Sequence, residues 1–457
     1  MRLSPSYATA HFNLALVLHE KEKYPEAIEE YQSVLKLDPE DAEASLNLGC
    51  AFWDSGDLEE AAAEFKRTID IDSDFACGHC KLGRVHFDQG NLDSAVWCVK
   101  KALRLYPECP EAHYALGLIL QERRQLTAAA TEYRTAIRFD PAYADPYFSF
   151  GTLLQNQGDL DGAQANYLAA IARDDHFTDA LLNLGSLLYQ RGDYKGALAR
   201  YQEATKIEPD FADAHFGCGC AFEALGNVSE ARLIYERAIR LDPDFAEPRL
   251  NLGWLLYREG DIEGALKHYR EVVELDPERA ASHSYHAMAL QAQGAFDEAI
   301  KEFEAARLLD PEDPFCSYGL GWTYWRKGVL EKALECYQVA LACDPDYSLA
   351  HFGIGVVLQQ QGDVDGAIDS YRRTVALDPQ HDAAFLNLGS LLMSKGEIEE
   401  AIASFNESLR LLPESSKAHY SMGHALMLKG NIGGALGCYL KAFYHTIEPT
   451  DDPPSEE

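Results

Sequence analysis

Small and apolar side chains recur along this chain three and four residues apart, in short runs separated by glycine or proline. That spacing places them on one face of a helix. Aligned on itself at a shift of 34 residues, the chain gives thirteen copies from Ala8 to Pro449 with no insertion or deletion. In each copy, positions 4, 7, 8 and 11 (His215, Cys218, Gly219 and Phe222 in the seventh) share one helical face, and positions 20, 24 and 27 share another. The pattern predicts two amphipathic helices per copy, packed face to face.

Position 20 is alanine in all thirteen copies, from Ala27 through Ala163 to Ala435, and position 8 is glycine in eleven, such as Gly49, Gly185 and Gly389. Position 24 is tyrosine or phenylalanine in twelve, Val99 being the exception. Small residues at 8 and 20 let two backbones approach, and the ring at 24 fills the space beside them. Glycine at position 15 in eleven copies ends the first helix as a left-handed cap, and the Asp or Asn after it, as in Gly158-Asp159, can cap the second. Endings such as Leu241-Asp242-Pro243 stop the second helix, because proline cannot continue it.

Leu-Gly at 7 and 8, Ala at 20, Tyr or Phe at 24, Ala at 27 and Pro at 32 in most copies resemble the tetratricopeptide repeat. The resemblance implies an all-α fold, a right-handed superhelical solenoid of helix-turn-helix units whose first helices line a concave groove. On this reading residues 1–7 are the remnant of a preceding repeat, 8–449 are thirteen tandem repeats, and 450–457 form a disordered acidic tail. Tyr439 and Phe443 of the last copy, with no repeat to cover them, suggest an apolar end that supports self-association or marks a longer protein.

Forty basic against 74 acidic residues give a net charge of -34, which disfavours nucleic acid and anionic membrane surfaces and favours a basic or neutral partner. No apolar stretch approaches the roughly 20 residues of a membrane span. The eleven cysteines are scattered along helices rather than spaced as a framework, as expected of reduced thiols in a cytoplasmic protein.

In the family the groove is lined by positions 2, 5, 6, 9, 12 and 13 of each first helix, and the resemblance carries this onto particular residues. Copies eight and ten both place Trp at 9, an aromatic at 12 and Arg at 13: Trp254, Tyr257 and Arg258, then Trp322, Trp325 and Arg326, with Tyr318 one turn earlier. Trp, Tyr and Arg dominate binding energy when desolvated, so these residues form the sharpest candidate for gripping a partner; the alternative is packing between first helices. Position 5 is mostly large and apolar, with Phe216 and Phe352 as examples. Position 2 is acidic in five consecutive copies, including Asp179, Asp213 and Glu247. These form a rail for a basic peptide, or else simply complement the helix dipole. Asn251, with Asn13, Asn47, Asn183 and Asn387 at position 6, is similar to the asparagine ladder in the repeat arm of O-linked N-acetylglucosamine transferases. Histidines at position 4, such as His215 and His283, read as packing residues.

Catalytic and cofactor signals fail on inspection. Cys77-Gly78-His79-Cys80 lies within one first helix and has no second cysteine pair, and Asp70 to Asp74 opens like a calcium loop but carries Phe75 where the turn glycine belongs. No phosphate-binding glycine loop or nucleophile elbow occurs. The expectation is a non-enzymatic scaffold without cofactor or metal, holding a peptide or helix of another protein. The alternative is the non-catalytic repeat arm of a larger enzyme resembling those glycosyltransferases.

Overall fold

A computed structural model describes residues 8–447. The expected remnant at 1–7 and the acidic tail at 450–457 lie outside the described residues. Twenty-six α-helices and no strand occur among them. The chain divides into two compact units after Leu241. The first unit holds α1 (Ala8–Glu20), α2 (Tyr24–Leu37), α3 (Ala42–Asp54), α4 (Leu58–Ile71), α5 (Ala76–Asp88), α6 (Leu92–Leu105), α7 (Pro110–Glu122), α8 (Leu126–Phe139), α9 (Ala144–Asn156), α10 (Leu160–Ile171), α11 (Thr178–Gln190), α12 (Tyr194–Ile207), α13 (Ala212–Ala224) and α14 (Val228–Leu241). The second holds α15 (Ala246–Arg258), α16 (Ile262–Leu275), α17 (Ala280–Gln293), α18 (Phe296–Leu309), α19 (Pro314–Arg326), α20 (Leu330–Cys343), α21 (Ser348–Gln361), α22 (Val364–Leu377), α23 (Asp382–Ser394), α24 (Ile398–Leu411), α25 (Ser416–Leu428) and α26 (Ile432–Ile447).

Each unit is an all-α stack of hairpins. Consecutive odd and even helices pair as hairpins, each second helix packs on the next first helix (α16 on α17, α18 on α19), and neighbouring first helices touch (α15 with α17, α17 with α19). The invariant alanines at position 20 are fully buried, as are most of the rings at position 24. The structure sharpens the reason for glycine at position 8: the ring itself demands it. A Cβ on Gly219 would stand 2.4 Å from the Tyr235 ring, and one on Gly185 2.6 Å from Tyr201.

The turns close as the side chains dictate. Aspartate at the end of a second helix accepts a hydrogen bond from the N–H two residues on (Asp140 from Ala142 at 2.9 Å, Asp378 from Gln380 at 2.9 Å), with proline, which has no N–H, between them. At the start of second helices, capping by the residue after the turn is made where glycine sits three residues on: Asp159 accepts from Gly162 and Asp193 from Gly196, both at 2.9 Å. Asp57 and Asn91, lacking that glycine, make no such bond.

Eleven position-15 glycines adopt positive φ, and the two remaining copies force Glu22 and Arg124 into the same conformation at φ 58°. A left-handed backbone costs an ordinary residue roughly 1–2 kcal/mol, part of which glycine's own entropy offsets. Arg124→Gly is therefore expected to stabilise the first unit by about 1 kcal/mol in a chemical denaturation curve; a lowered midpoint would contradict this account of the turn.

The position-4 histidines tie each turn to the helix after it. Nε2 of His113, His283, His351 and His419 donates to the carbonyl of Pro107, Pro277, Pro345 and Pro413 at 2.9, 3.1, 3.0 and 2.8 Å. His113 also meets the Glu132 carboxylate through Nδ1 at 2.6 Å. Burial opposes charge on this ring, but the Glu132 carboxylate and the Pro107 carbonyl outweigh it and hold its pKa above the ordinary histidine value. A pKa raised on folding stabilises the fold below the unfolded value of about 6.5, and the gain is lost as pH rises through the folded value. The gap in unfolding midpoint between wild type and His113→Gln is expected to be widest in that acidic range and to narrow at higher pH. A gap independent of pH would show that the pair contributes no charge interaction.

Candidate functional site

The residues singled out at copies eight and ten fall into two ring clusters on the first helices of the second unit. In one, Trp254 and Tyr257 of α15 stack with centroids 5.8 Å apart and planes 10° from parallel, and Tyr285 of α17 lies 6.2 Å from the Trp254 ring. Tyr285 in turn stacks on Tyr269 of α16 at 5.7 Å. Trp254 stays 37% exposed and Tyr285 36%, so both rings keep open surface despite these contacts. Arg258 is exposed in the last turn of α15.

In the other cluster, Trp322 of α19 is flanked by Trp325 at 6.4 Å and by Phe296 of α18 at 6.5 Å. The exposed Arg326 guanidinium lies 4.9 Å from the centre of the Trp322 ring and 5.4 Å from that of Phe296. Phe296 and Tyr285 were not singled out from the sequence. Tyr285 occupies position 6, one of the positions assigned to the groove, so that assignment was the signal; Phe296 belongs to a second helix and gave none.

Other candidates turn inward. Tyr318 packs between Tyr337 and Tyr347, each at 5.8 Å, and burial raises its phenol pKa. Trp325 rests against the apolar cluster around Tyr337, its indole Nε1 buried without a hydrogen-bond partner. Phe216 lies 6.0 Å from Tyr235, and Phe352 lies 5.6 Å from Tyr371 and 4.4 Å from His381. Position 5 thus serves mainly to brace the first helix against its own hairpin's ring and the following linker.

The acidic residues divide. In the first unit burial raises the Asp179 pKa, and the nearby Glu208 and Asp213 carboxylates add to the shift. Glu247, in the second unit, pairs with Arg279 at 3.1 Å. The asparagines make local bonds: Asn47 donates to the Glu43 carbonyl at 2.9 Å, Asn387 to the Tyr371 hydroxyl at 3.4 Å, and Asn183 bonds the Tyr167 hydroxyl. Asn251 is half-buried on α15.

The first unit holds a ring-and-cation group that sequence reasoning missed. Arg84 of α5 lies 5.4 Å from the Trp53 ring of α3 and 5.3 Å from the Tyr114 ring of α7, with Lys81 5.2 Å from Trp53. These residues occupy positions 5, 6, 9 and 12, of which 6, 9 and 12 also supply rings to the tryptophan clusters. Near the end of the second unit a cavity of about 880 Å³ is lined by Asn387, Lys417, Tyr420 and Phe443, among others. Phe443 is 62% exposed, whereas Tyr439 is half-buried against Tyr420 at 5.5 Å, so only the former is left uncovered. Among the described residues the group with three ligand-type atoms close together is Asp174, Asp175 and His176, all exposed in one linker. No helix among those residues is long and apolar enough to cross a membrane.

A family profile described as "Tetratricopeptide repeat" matches residues 1–36, 12–74, 80–144, 218–280, 285–348, 318–382, 352–416 and 386–445. The chain belongs to the tetratricopeptide repeat family. A second profile, "TPR repeat", matches residues 185–226. No curated protein matches the sequence. Solved structures with a similar course include the APC/C hetero-tetramer Cut9-Hcn1, at 15% identity and TM-score 0.50 over 93% of this chain and 97% of that one. That likeness shows the shared fold of tetratricopeptide repeats. Yeast Tom70 matches at 17% identity and TM-score 0.41 over 93% and 96% of the two chains. YrrB, described as a TPR protein with an unusual peptide-binding site, matches at 28% identity and TM-score 0.35 over 40% of this chain and 95% of its own. In tetratricopeptide repeat terms, both tryptophan clusters lie on the first-helix side of their hairpins.

Proposed function

We propose that this protein is a protein-interaction scaffold that holds a peptide or helical segment of another protein on the first-helix face of its repeats, and that it acts by binding rather than by chemistry. The observation that carries this reading is the pair of ring clusters on α15, α17 and α19, where Trp254 and Tyr285 keep open surface and Arg326 stands over Trp322. Rings and guanidinium groups of this kind give up water readily and contribute most when a partner covers them. A net charge of -34 adds a preference for a basic or neutral segment and makes encounter sensitive to salt. The carboxylates at Asp179 and Asp213 extend that preference to the first unit.

A pull-down with the Trp254→Ala/Trp322→Ala double variant beside wild type tests the reading. Partners that wild type retains and the variant loses support it. An identical set of bound proteins, with circular dichroism unchanged, would remove these clusters from the binding face.

A further inference from the structure

The third hairpin puts cysteine at both members of a contact that rings make elsewhere. Position 5 of a first helix meets position 34 of the linker behind it: Tyr114 with Tyr143 at 5.4 Å, Phe148 with Phe177 at 5.0 Å, and Tyr318 with Tyr347 at 5.8 Å. In the third hairpin these positions are Cys80 on α5 and Cys109 just before α7. Both are buried in one apolar cluster, at 3% and 8% exposure. Their thiols lie close enough to shift one another, Cys80 toward the protonated form and Cys109 toward the thiolate. Two thiols separated by 28 residues of chain are thus held together by the same packing that pairs aromatic rings in other repeats.

The two sulfurs are not equivalent. Cys109 is the N-cap residue of α7 but makes no side-chain capping bond there; its thiol donates to the Glu111 carboxylate at 3.3 Å. The Cys80 S–H beside it holds the Cys109 thiol below its ordinary pKa, against burial and the Glu111 carboxylate. Cys80 shifts upward, because its bond to Cys109 favours the protonated form and burial adds to the effect. Cys109 is also the less buried of the two and adjoins the linker, so it is the sulfur that an outside disulfide meets first. Tyr106, Pro107 and Glu108, which lead into Cys109, are exposed, so the linker that carries it runs along the surface.

We propose that Cys80 and Cys109 form a dithiol site that a low-molecular-weight disulfide of the glutathione class oxidises to an internal disulfide. The Cys109 thiolate attacks one sulfur of glutathione disulfide; a mixed disulfide forms and one glutathione leaves as its thiolate. Cys80 then gives up its proton to solvent and attacks the Cys109 sulfur, and the second glutathione leaves. Two protein thiols lose two electrons and two protons, and one glutathione disulfide becomes two glutathione thiols. The new bond would tie α5 to the start of α7 and fix the spacing between Arg84 and Tyr114, whose contact at 5.3 Å spans the same two hairpins.

The experiment equilibrates the full chain in glutathione redox buffers, traps free thiols by alkylation, and maps peptides without reduction. The expected result is a linked peptide pair joining Cys80 to Cys109, with a raised thermal midpoint that a reductant reverses, and the same pair in Cys77→Ser. Cys80→Ser should instead hold glutathione on Cys109. The wild-type map decides the matter even if that variant misfolds. Recovering both residues fully alkylated in buffers that already place glutathione on exposed Cys77 would overturn the proposal, as would a link between Cys77 and Cys80.

Discussion

Replacing Tyr167 with alanine is expected to cost the first unit about 3–5 kcal/mol, near the upper end for large-to-small core changes. The ring is fully buried. It sits over Gly151, where even a single added methyl carbon would come within 2.9 Å, and lies 6.0 Å from Phe148. Its hydroxyl donates to Gln155 Oε1 at 2.6 Å. The space it leaves is walled by Phe148, Leu154, Leu184 and Leu187 beside the invariant Ala163, and refilling it would pull those side chains out of their own packing. Because each repeat is held by its neighbours alone, the loss should concentrate in α9, α10 and the hairpins beside them. Urea titration gives the magnitude, and amide hydrogen exchange gives the location. A change below about 1 kcal/mol, or faster exchange spread evenly over the unit, would show that the ring is not the keystone of its hairpin.

Trp254→Ala and Trp322→Ala are each expected to weaken partner binding by about 1–2 kcal/mol, roughly five- to thirtyfold in Kd. Stability should be little affected, because both rings keep solvent contact. Trp325→Ala supplies the contrast. That ring packs on the cluster around Tyr337, so its removal should lower the unfolding midpoint more than it lowers affinity. Isothermal titration with a captured partner, alongside thermal melts of the three variants, separates the two roles. Unchanged affinity in both the Trp254 and the Trp322 variants would sink the proposed face, and equal destabilisation by all three would reassign Trp254 and Trp322 to packing.

The repeat made the hairpins legible from the sequence, because its constraints are local: a 3.6-residue period fixes the faces, and glycine, aspartate and proline fix the ends. Ala163, Gly151 and Tyr167 could be placed in one core from spacing alone, and the histidines could be read as packing residues. Their bonds to the linker carbonyls could not be foreseen, since these depend on the path of the turn. The acidic balance likewise bounded the partner without any fold.

Tertiary structure decided how each candidate side chain is used. Spacing put Tyr318, Trp322, Trp325 and Arg326 on one helix, but only packing against α18 and α20 turned Tyr318 and Trp325 inward and left Arg326 over Trp322. Phe296 and Tyr285 joined the clusters because neighbouring helices brought them there. The meeting of Cys80 with Cys109 has the same origin. A period describes which face a residue occupies within its own helix. Which residue of another helix it meets depends on how the hairpins nest, and nesting is set by the volumes of all the side chains between them.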